Sequence, residues 1–265
     1  MIYFRVLCCW VVTLVSLSLH TGDCARIVGG KEVEPHSVPY IALLEDFEND
    51  FVCGGTLIHE SWVLTAAHCR CQDNRCMLFG DLKTAYLGVH STKKHRKDWI
   101  PREIKKNVPH PKYNHHTVQN DIMLLQLKNP VKVSSSVRIK ALPNPVDDMR
   151  AGTRCFGAGW GATVEGGPSS DVLLGVNLTV VDRRVCKNRY NSFIRITDEM
   201  FCAGSTNNHP ADTCQGDSGG PLVCGGVLRG VVSFGKGCGN LAYPGVYTFI
   251  SKYDKWIRET IRNSE

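Results

Sequence analysis

The sequence predicts an all-β protein that closes on one short C-terminal helix, and three observations carry that reading. Val172, Leu174, Val176, Leu178 and Val180 alternate at period two, the mark of a strand with one buried and one wet face. Ile122 to Leu125 is an unbroken apolar run, which reads as a strand buried on both faces. Elsewhere short apolar runs are punctuated by glycine, and helical spacing emerges only at the end, where Tyr253, Trp256, Ile257, Thr260 and Ile261 follow i, i+3, i+4.

In chain order, residues 1 to about 20 read as a secretory signal peptide. Arg5 supplies the charged start, and Val6 to Leu19 form an apolar stretch too short to span a bilayer comfortably. Two imperfect small-residue sites, at Ser16/Ser18 and His20/Gly22, leave the cleavage point open. The rest contains no further membrane span, repeat, low-complexity tract or linker, and about 240 residues suit one undivided all-β domain. Ala141-Leu142-Pro143-Asn144-Pro145 is the natural crossing between two halves.

Thirteen cysteines in an exported chain imply disulfides; Cys8 and Cys9 leave with the leader, so an odd eleven remain. The net charge of +6 is mild but uneven, since Lys93, Lys94, His95, Arg96, Lys97, Arg102, Lys105 and Lys106 crowd one stretch. For an exported protein the anionic partner of such a patch is heparin or a proteoglycan, the alternative being a merely solvated loop. Asn177-Leu178-Thr179 is a glycosylation sequon whose asparagine falls on the wet face of its strand.

Candidate chemistry begins at Gly216-Asp217-Ser218-Gly219-Gly220-Pro221. A serine hydroxyl attacks only when a neighbouring base takes its proton. Glycines around Ser218 permit a tight turn whose Gly216 and Ser218 amides form an oxyanion hole; losing one such donor costs roughly 2.7–4 kcal/mol. Of the ten histidines, His68 stands in a small-residue stretch pinned by Cys69, and Asp121 immediately precedes the apolar run. Taken singly, His68 reads as a core histidine and Asp121 as a turn residue. The order His68, Asp121, Ser218 matches one of the known triad orders.

On these residues the chain resembles the trypsin/chymotrypsin-like serine proteases from Ile27 to about Arg262. The motifs are Ile27-Val28-Gly29-Gly30, Thr65-Ala66-Ala67-His68-Cys69, Asp121-Ile122-Met123-Leu124-Leu125, Gly159-Trp160-Gly161 and the Ser218 run. The resemblance implies two antiparallel six-stranded β-barrels, about 27–140 and 141–250, with a helix at about 252–262 and the triad in the cleft between barrels. It implies that Ser233 hydrogen-bonds the buried aspartate, that Asp212 forms the base of the primary pocket, and that Gly235 and Gly245 keep its walls open. A buried carboxylate in an open slot selects substrates with Arg or Lys at P1. Residues 21–26 become an activation propeptide: cleavage after Arg26 frees the Ile27 amine, which turns inward to Asp217. Serpin-type inhibitors are the natural partners, with no cofactor.

Within the family the granzyme A/K type resembles the chain most, at Leu178–Cys186 and Arg229–Gly235, which implies a secreted or granule-stored immune protease. The complement factor D type follows, at Cys224–Leu228, and a digestive trypsin-like role stands as a further alternative. The resemblance pairs Cys53–Cys69, Cys155–Cys224, Cys186–Cys202 and Cys214–Cys238. Cys24 leaves with the propeptide, and Cys71 and Cys76 either pair locally or bond between chains. Lys112 occupies the position of the granzyme A dimer cysteine, favouring a monomer. Metal sites are not expected: Val89–Lys94 lacks the carboxylates of the family's calcium loop, and the pair His115-His116 lacks Cys or acid support for zinc.

Overall fold

The computed structural model describes residues 29–70, 81–146, 148–205 and 210–264. The leader, Cys24, Arg26, Ile27, Cys71 and Cys76 lie outside the described residues.

Two rings of strands form the molecule. After a two-residue strand β1 (Lys31–Glu32), the first ring comprises β2 (Ile41–Asp46), β3 (Phe51–His59), β4 (Trp62–Thr65), β5 (Leu82–Leu87), β6 (Ile100–Pro109) and β7 (Met123–Leu127). Its order is β2-β3-β4-β7-β6-β5, closed by β5 on β2. Leu44, Leu57, Val63, Leu64, Leu82, Leu87 and Leu124 belong to one core cluster on its walls and are almost fully buried. Ile122, Met123, Leu124 and Leu125 are all 0% exposed, as an unbroken apolar run demands.

The second ring comprises β8 (Arg154–Gly159), β9 (Leu174–Val180), β10 (Met200–Gly204), β11 (Pro221–Cys224), β12 (Val227–Phe234) and β13 (Gly245–Phe249), arranged β9-β10-β13-β12-β11-β8 with β8 closing on β9. Closure leaves neither ring a long free edge. β9 alternates as its sequence does: Leu174, Val176, Leu178 and Val180 are buried, and Asn177 is exposed. Val172 departs from expectation. It lies before the strand, half-buried, and makes only an isolated bridge to Ser91.

Two features cross the boundary expected between halves. β1 pairs with β9 and so belongs to the second ring's sheet. The C-terminal α-helix, α2 (Asp254–Arg262), begins after a 3-10 turn at Ile250–Tyr253, and its Ile257 packs into the first ring's core. The first described strand therefore lies on the second barrel and the last described helix against the first. A helix the sequence reading passed over, α1 (Arg183–Tyr190), precedes β10. It is only two turns long, but it carried a signal: Asp182 caps Arg184 N and Val185 N, while Cys186 and Tyr190, four apart, are its buried face.

Four disulfides join Cys53–Cys69, Cys155–Cys224, Cys186–Cys202 and Cys214–Cys238. Cys155–Cys224 closes the longest loop, 69 residues in sequence separation, between neighbouring strands β8 and β11. Replacing both cysteines by alanine is expected to destabilise the protein by about 4 kcal/mol on chain-entropy grounds, read as a lowered thermal midpoint.

Candidate active site

Where β4 ends, Ala66 and Ala67 are fully buried and a 3-10 turn, Ala67–Arg70, begins. The turn is clamped to β3 by Cys53–Cys69, so His68 leaves the barrel wall in one direction. Asp121 sits just before β7, 1% exposed. Its Oδ1 accepts the His68 backbone N–H at 2.9 Å, and its Oδ2 lies 2.8 Å from His68 Nδ1. From the second barrel, Ser233 Oγ donates to Oδ2 at 2.5 Å, and Thr248 Oγ1 donates to the Asp121 carbonyl at 2.7 Å. Burial alone raises the Asp121 pKa, but the His68 charge and these hydrogen bonds outweigh it and hold it below the usual carboxylate range. Burial lowers His68, yet the Asp121 charge and hydrogen bond dominate and raise it. The ring is thereby oriented with Nδ1 on the carboxylate and primed to carry a proton at Nε2.

Ser218 stands on a turn held by Asp217 N to Cys214 O at 3.0 Å and Gly220 N to Asp217 O at 2.9 Å. The turn is fastened to the first barrel by Gly54 N, which donates to the Ser218 carbonyl at 2.8 Å. Gly219 has φ +75°, and a Cβ there would come 2.1 Å from Thr65 Oγ1 and 2.6 Å from the Gly54 carbonyl, so only glycine lets the barrels approach. Gly216, at φ +96°, turns the backbone ahead of the serine. Among the described residues the amides of Gly216 and Ser218 make no hydrogen bond, which leaves them free to receive an oxyanion. The Ser218 hydroxyl likewise makes no hydrogen bond to His68 here, as is common before substrate aligns the pair.

Two further buried carboxylates flank Ser218. Asp217 is 0% exposed; its Oδ1 accepts Gly161 N at 2.8 Å and its Oδ2 accepts Cys214 N at 2.9 Å, yet burial still pushes its pKa up to about 6. The glycines of Gly159-Trp160-Gly161 make room for it, since a Cβ at Gly161 would lie 2.5 Å from the carboxylate. Asp212, 3% exposed, accepts Gly239 N at 3.2 Å on Oδ2, while its Oδ1 is buried without a partner. Burial pushes its pKa up to about 7. Beside it opens a cavity of about 230 Å³ whose lining includes Ser218, Ser233, Gly235, Gly237 and Gly245. A Cβ at Gly245 would sit 2.8 Å from Asp212 Oδ1, covering the orphaned oxygen. Asp212 Oδ1 thus lies behind Gly245, a residue of the cavity lining, and a buried charge without a partner calls for a cation.

The remaining expected residues are placed as follows. Asn177 is exposed. In the basic run Lys93 pairs with Asp171 at 2.7 Å, and Arg96 stacks over Trp99 and Phe51; Lys94, Lys97, Lys105 and Lys106 are exposed without acid partners among the described residues. The His115 and His116 ring centroids lie 3.7 Å apart with the planes tilted by 43°, and among the described residues no acid joins them in a group that could hold a metal. The one group of potential metal ligands close enough to share an ion among the described residues, Cys53, His68 and Cys69, has both thiols consumed in a disulfide. Ile27 is outside the described residues, so the expected Ile27–Asp217 pair is not described. Thr248 went unforeseen. It lies 127 residues from the aspartate it supports and carries no local motif.

Comparison with known proteins agrees with this geometry. A family model described as Trypsin matches residues 27–257. Granzyme A of Bos taurus is 40% identical over 243 residues, covering 90% of this chain and 89% of its own. Kallikrein-4 of Homo sapiens is 38% identical over 257 residues, covering 96% and 95%. Among solved structures, mouse brain neuropsin, titled a serine protease, superposes with a TM-score of 0.76 at 36% identity, covering 88% of this chain and 98% of its own.

Removing Ser233 Oγ by Ser233→Ala should cost about 1.5–3 kcal/mol, the worth of a hydrogen bond to a charged group. Asp121 is held low in the fold, so this stability is present at neutral pH and is lost as pH falls through the folded-state pKa. Denaturation followed from pH 7 down through acid pH should therefore show the larger loss at pH 7 and a shrinking one once Asp121 takes its proton in the fold.

Proposed function

The chain belongs to the trypsin family, and from that premise we propose a secreted or granule-stored endopeptidase of granzyme A/K type that cleaves after Arg or Lys and is made as a zymogen. The single observation that carries the P1 preference is Asp212 Oδ1, buried without a partner behind Gly245, a residue of the cavity lining. A guanidinium or ammonium entering there supplies the missing partner, whereas an apolar side chain would leave the charge buried alone. Gly235 and Gly245 leave the slot wide enough for a long side chain.

With P1 seated, the scissile carbonyl lies over Ser218. His68 Nε2 takes the hydroxyl proton as Oγ forms the bond to the carbonyl carbon, and Asp121 stabilises the imidazolium. The Gly216 and Ser218 amides hold the tetrahedral oxyanion. His68 then returns the proton to the departing amine, leaving an acyl-enzyme that water hydrolyses along the same route. The raised pKa of His68 and the lowered pKa of Asp121 support this division of roles.

Activation is the second half of the proposal. Asp217, buried with two amide donors and no cation among the described residues, is suited to receive the Ile27 ammonium once the bond after Arg26 is cut. Because Asp217 precedes Ser218 and follows Gly216, its position sets the oxyanion turn. Export through the leader, glycosylation at Asn177, monomeric state, serpin control and proteoglycan binding complete the reading. Four disulfides support the export, and exposed Lys94, Lys97, Lys105 and Lys106 support proteoglycan binding. No helix among the described residues is long and apolar enough to cross a membrane.

Three outcomes are expected. Arg26→Gln should give a folded precursor that fluorophosphonate does not label at Ser218; labelling equal to that of the cut protein would overturn the zymogen reading. Asp212→Ser should lower kcat/KM for Arg amides by at least a hundredfold relative to Leu amides, since a lost charge pair at a buried site costs about 3–5 kcal/mol. Finally, p-aminobenzamidine affinity of the cut protein should be full above pH 7. Below it, affinity should fall by up to about tenfold per unit as Asp212, pushed up to about 7, takes its proton.

A further inference from the structure

A fixed cation stands at the mouth of the substrate cavity. Lys236 lies between Gly235 and Gly237, both of which line that cavity. Its ammonium sits 4.3 Å from the ring centroid of Tyr243 and 5.3 Å from that of Phe193. Both rings rest against buried Tyr190, whose hydroxyl donates to the Pro244 carbonyl at 2.9 Å. The ammonium is therefore placed by aromatic faces before any ligand arrives, which lowers the ordering cost of using it. Among the described residues no carboxylate lies within ion-pair distance of it. Glu165 borders the neighbouring Gly237 without pairing to Lys236, and Asp198, beyond α1, is engaged by Lys187 at 2.9 Å.

The backbone beside Lys236 is an open strand edge. β11 pairs with β12 only as far as Pro221 opposite Val231, so the edge of Ser233–Gly235 that faces the cavity has no strand upon it. An extended peptide can add there as an antiparallel strand. The residue whose side chain fills the cavity and whose carbonyl reaches Ser218 lies beside Ser233, which lines the same cavity. Counting upstream in antiparallel register, P2 meets Phe234, where β12 ends, and P3 meets Gly235, which brings P4 beside Lys236, where the chain bends out of the strand.

We propose that Lys236 reads a carboxylate side chain at P4, so that favoured substrates carry Asp or Glu three residues before the Arg or Lys at P1. This rests on the Arg/Lys reading of the cavity. Phe193, 58% exposed, offers apolar surface beside that ammonium for the stem of the acidic residue.

The test uses the full chain cut after Arg26 and three fluorogenic amides, Glu-Ala-Ala-Arg, Gln-Ala-Ala-Arg and Lys-Ala-Ala-Arg. The expected order of kcat/KM is Glu, Gln, Lys, spanning about three- to tenfold at low salt and narrowing as salt is raised. Lys236→Glu should invert the order, and Lys236→Arg should keep it. Equal turnover of the three amides, or an order that Lys236→Glu leaves in place, overturns the proposal while the Arg/Lys reading stands. A cut protein that hydrolyses none of them but cleaves a Leu amide overturns both.

Discussion

Asp121 is the point at which the two barrels become one site. Its carboxylate receives the backbone and the ring of His68 from the first barrel and the hydroxyl of Ser233 from the second, while Thr248 holds its carbonyl. A carboxylate 1% exposed is costly unless its oxygens are satisfied, and here the satisfying groups come from strands on either side of the cleft. Separation of the barrels would leave that charge buried and unpaired, so the geometry around His68 and the integrity of the barrel interface rest on the same bonds. Gly54 N on the Ser218 carbonyl and Gly219 against Thr65 extend the seam to the nucleophile.

Against this carboxylate stand two that have no cationic partner among the described residues. Asp212 and Asp217 are as deeply buried, but burial raises both, to about 7 and about 6, because amide dipoles alone do not replace water around a full charge. The contrast supports the parts proposed for them. An anion whose needs are met can position a base, whereas anions short of a cation are suited to receive one. One lies behind Gly245 of the cavity lining and suits a substrate side chain. The other is sealed beneath the glycines of Gly159-Trp160-Gly161 and suits a group of this chain.

Much of the fold and site was legible in the sequence where local pattern carries the information. The alternation in β9, the doubly buried β7, the C-terminal helix and the glycines around Ser218 are each dictated within a few residues. The family resemblance then supplied the pairing of His68, Asp121 and Ser218 and the four disulfides. Short-range pattern failed where it was too brief or where a contact was too distant. Two-turn α1 offers a single buried i, i+4 pair; β1 has two residues and no pattern at all; Val172 continues the β9 alternation but lies beyond the last ladder pair. The basic run was read as one patch, yet Asp171 and the Phe51–Trp99 rings, remote in sequence, divert Lys93 and Arg96 from it.

By itself, then, the sequence determined the reaction class, the all-β architecture and the candidate serine, because glycine turns, strand periodicity and motif order are local properties. Only the tertiary structure decided which buried carboxylates are satisfied and which are orphaned, because desolvation and hydrogen bonding depend on groups brought from the far ends of the chain. That distinction separates Asp121, which orients His68, from Asp212, whose Oδ1 is left without a partner. It also places the ammonium of Lys236 on two aromatic rings at the cavity mouth, an arrangement no spacing in the chain announces.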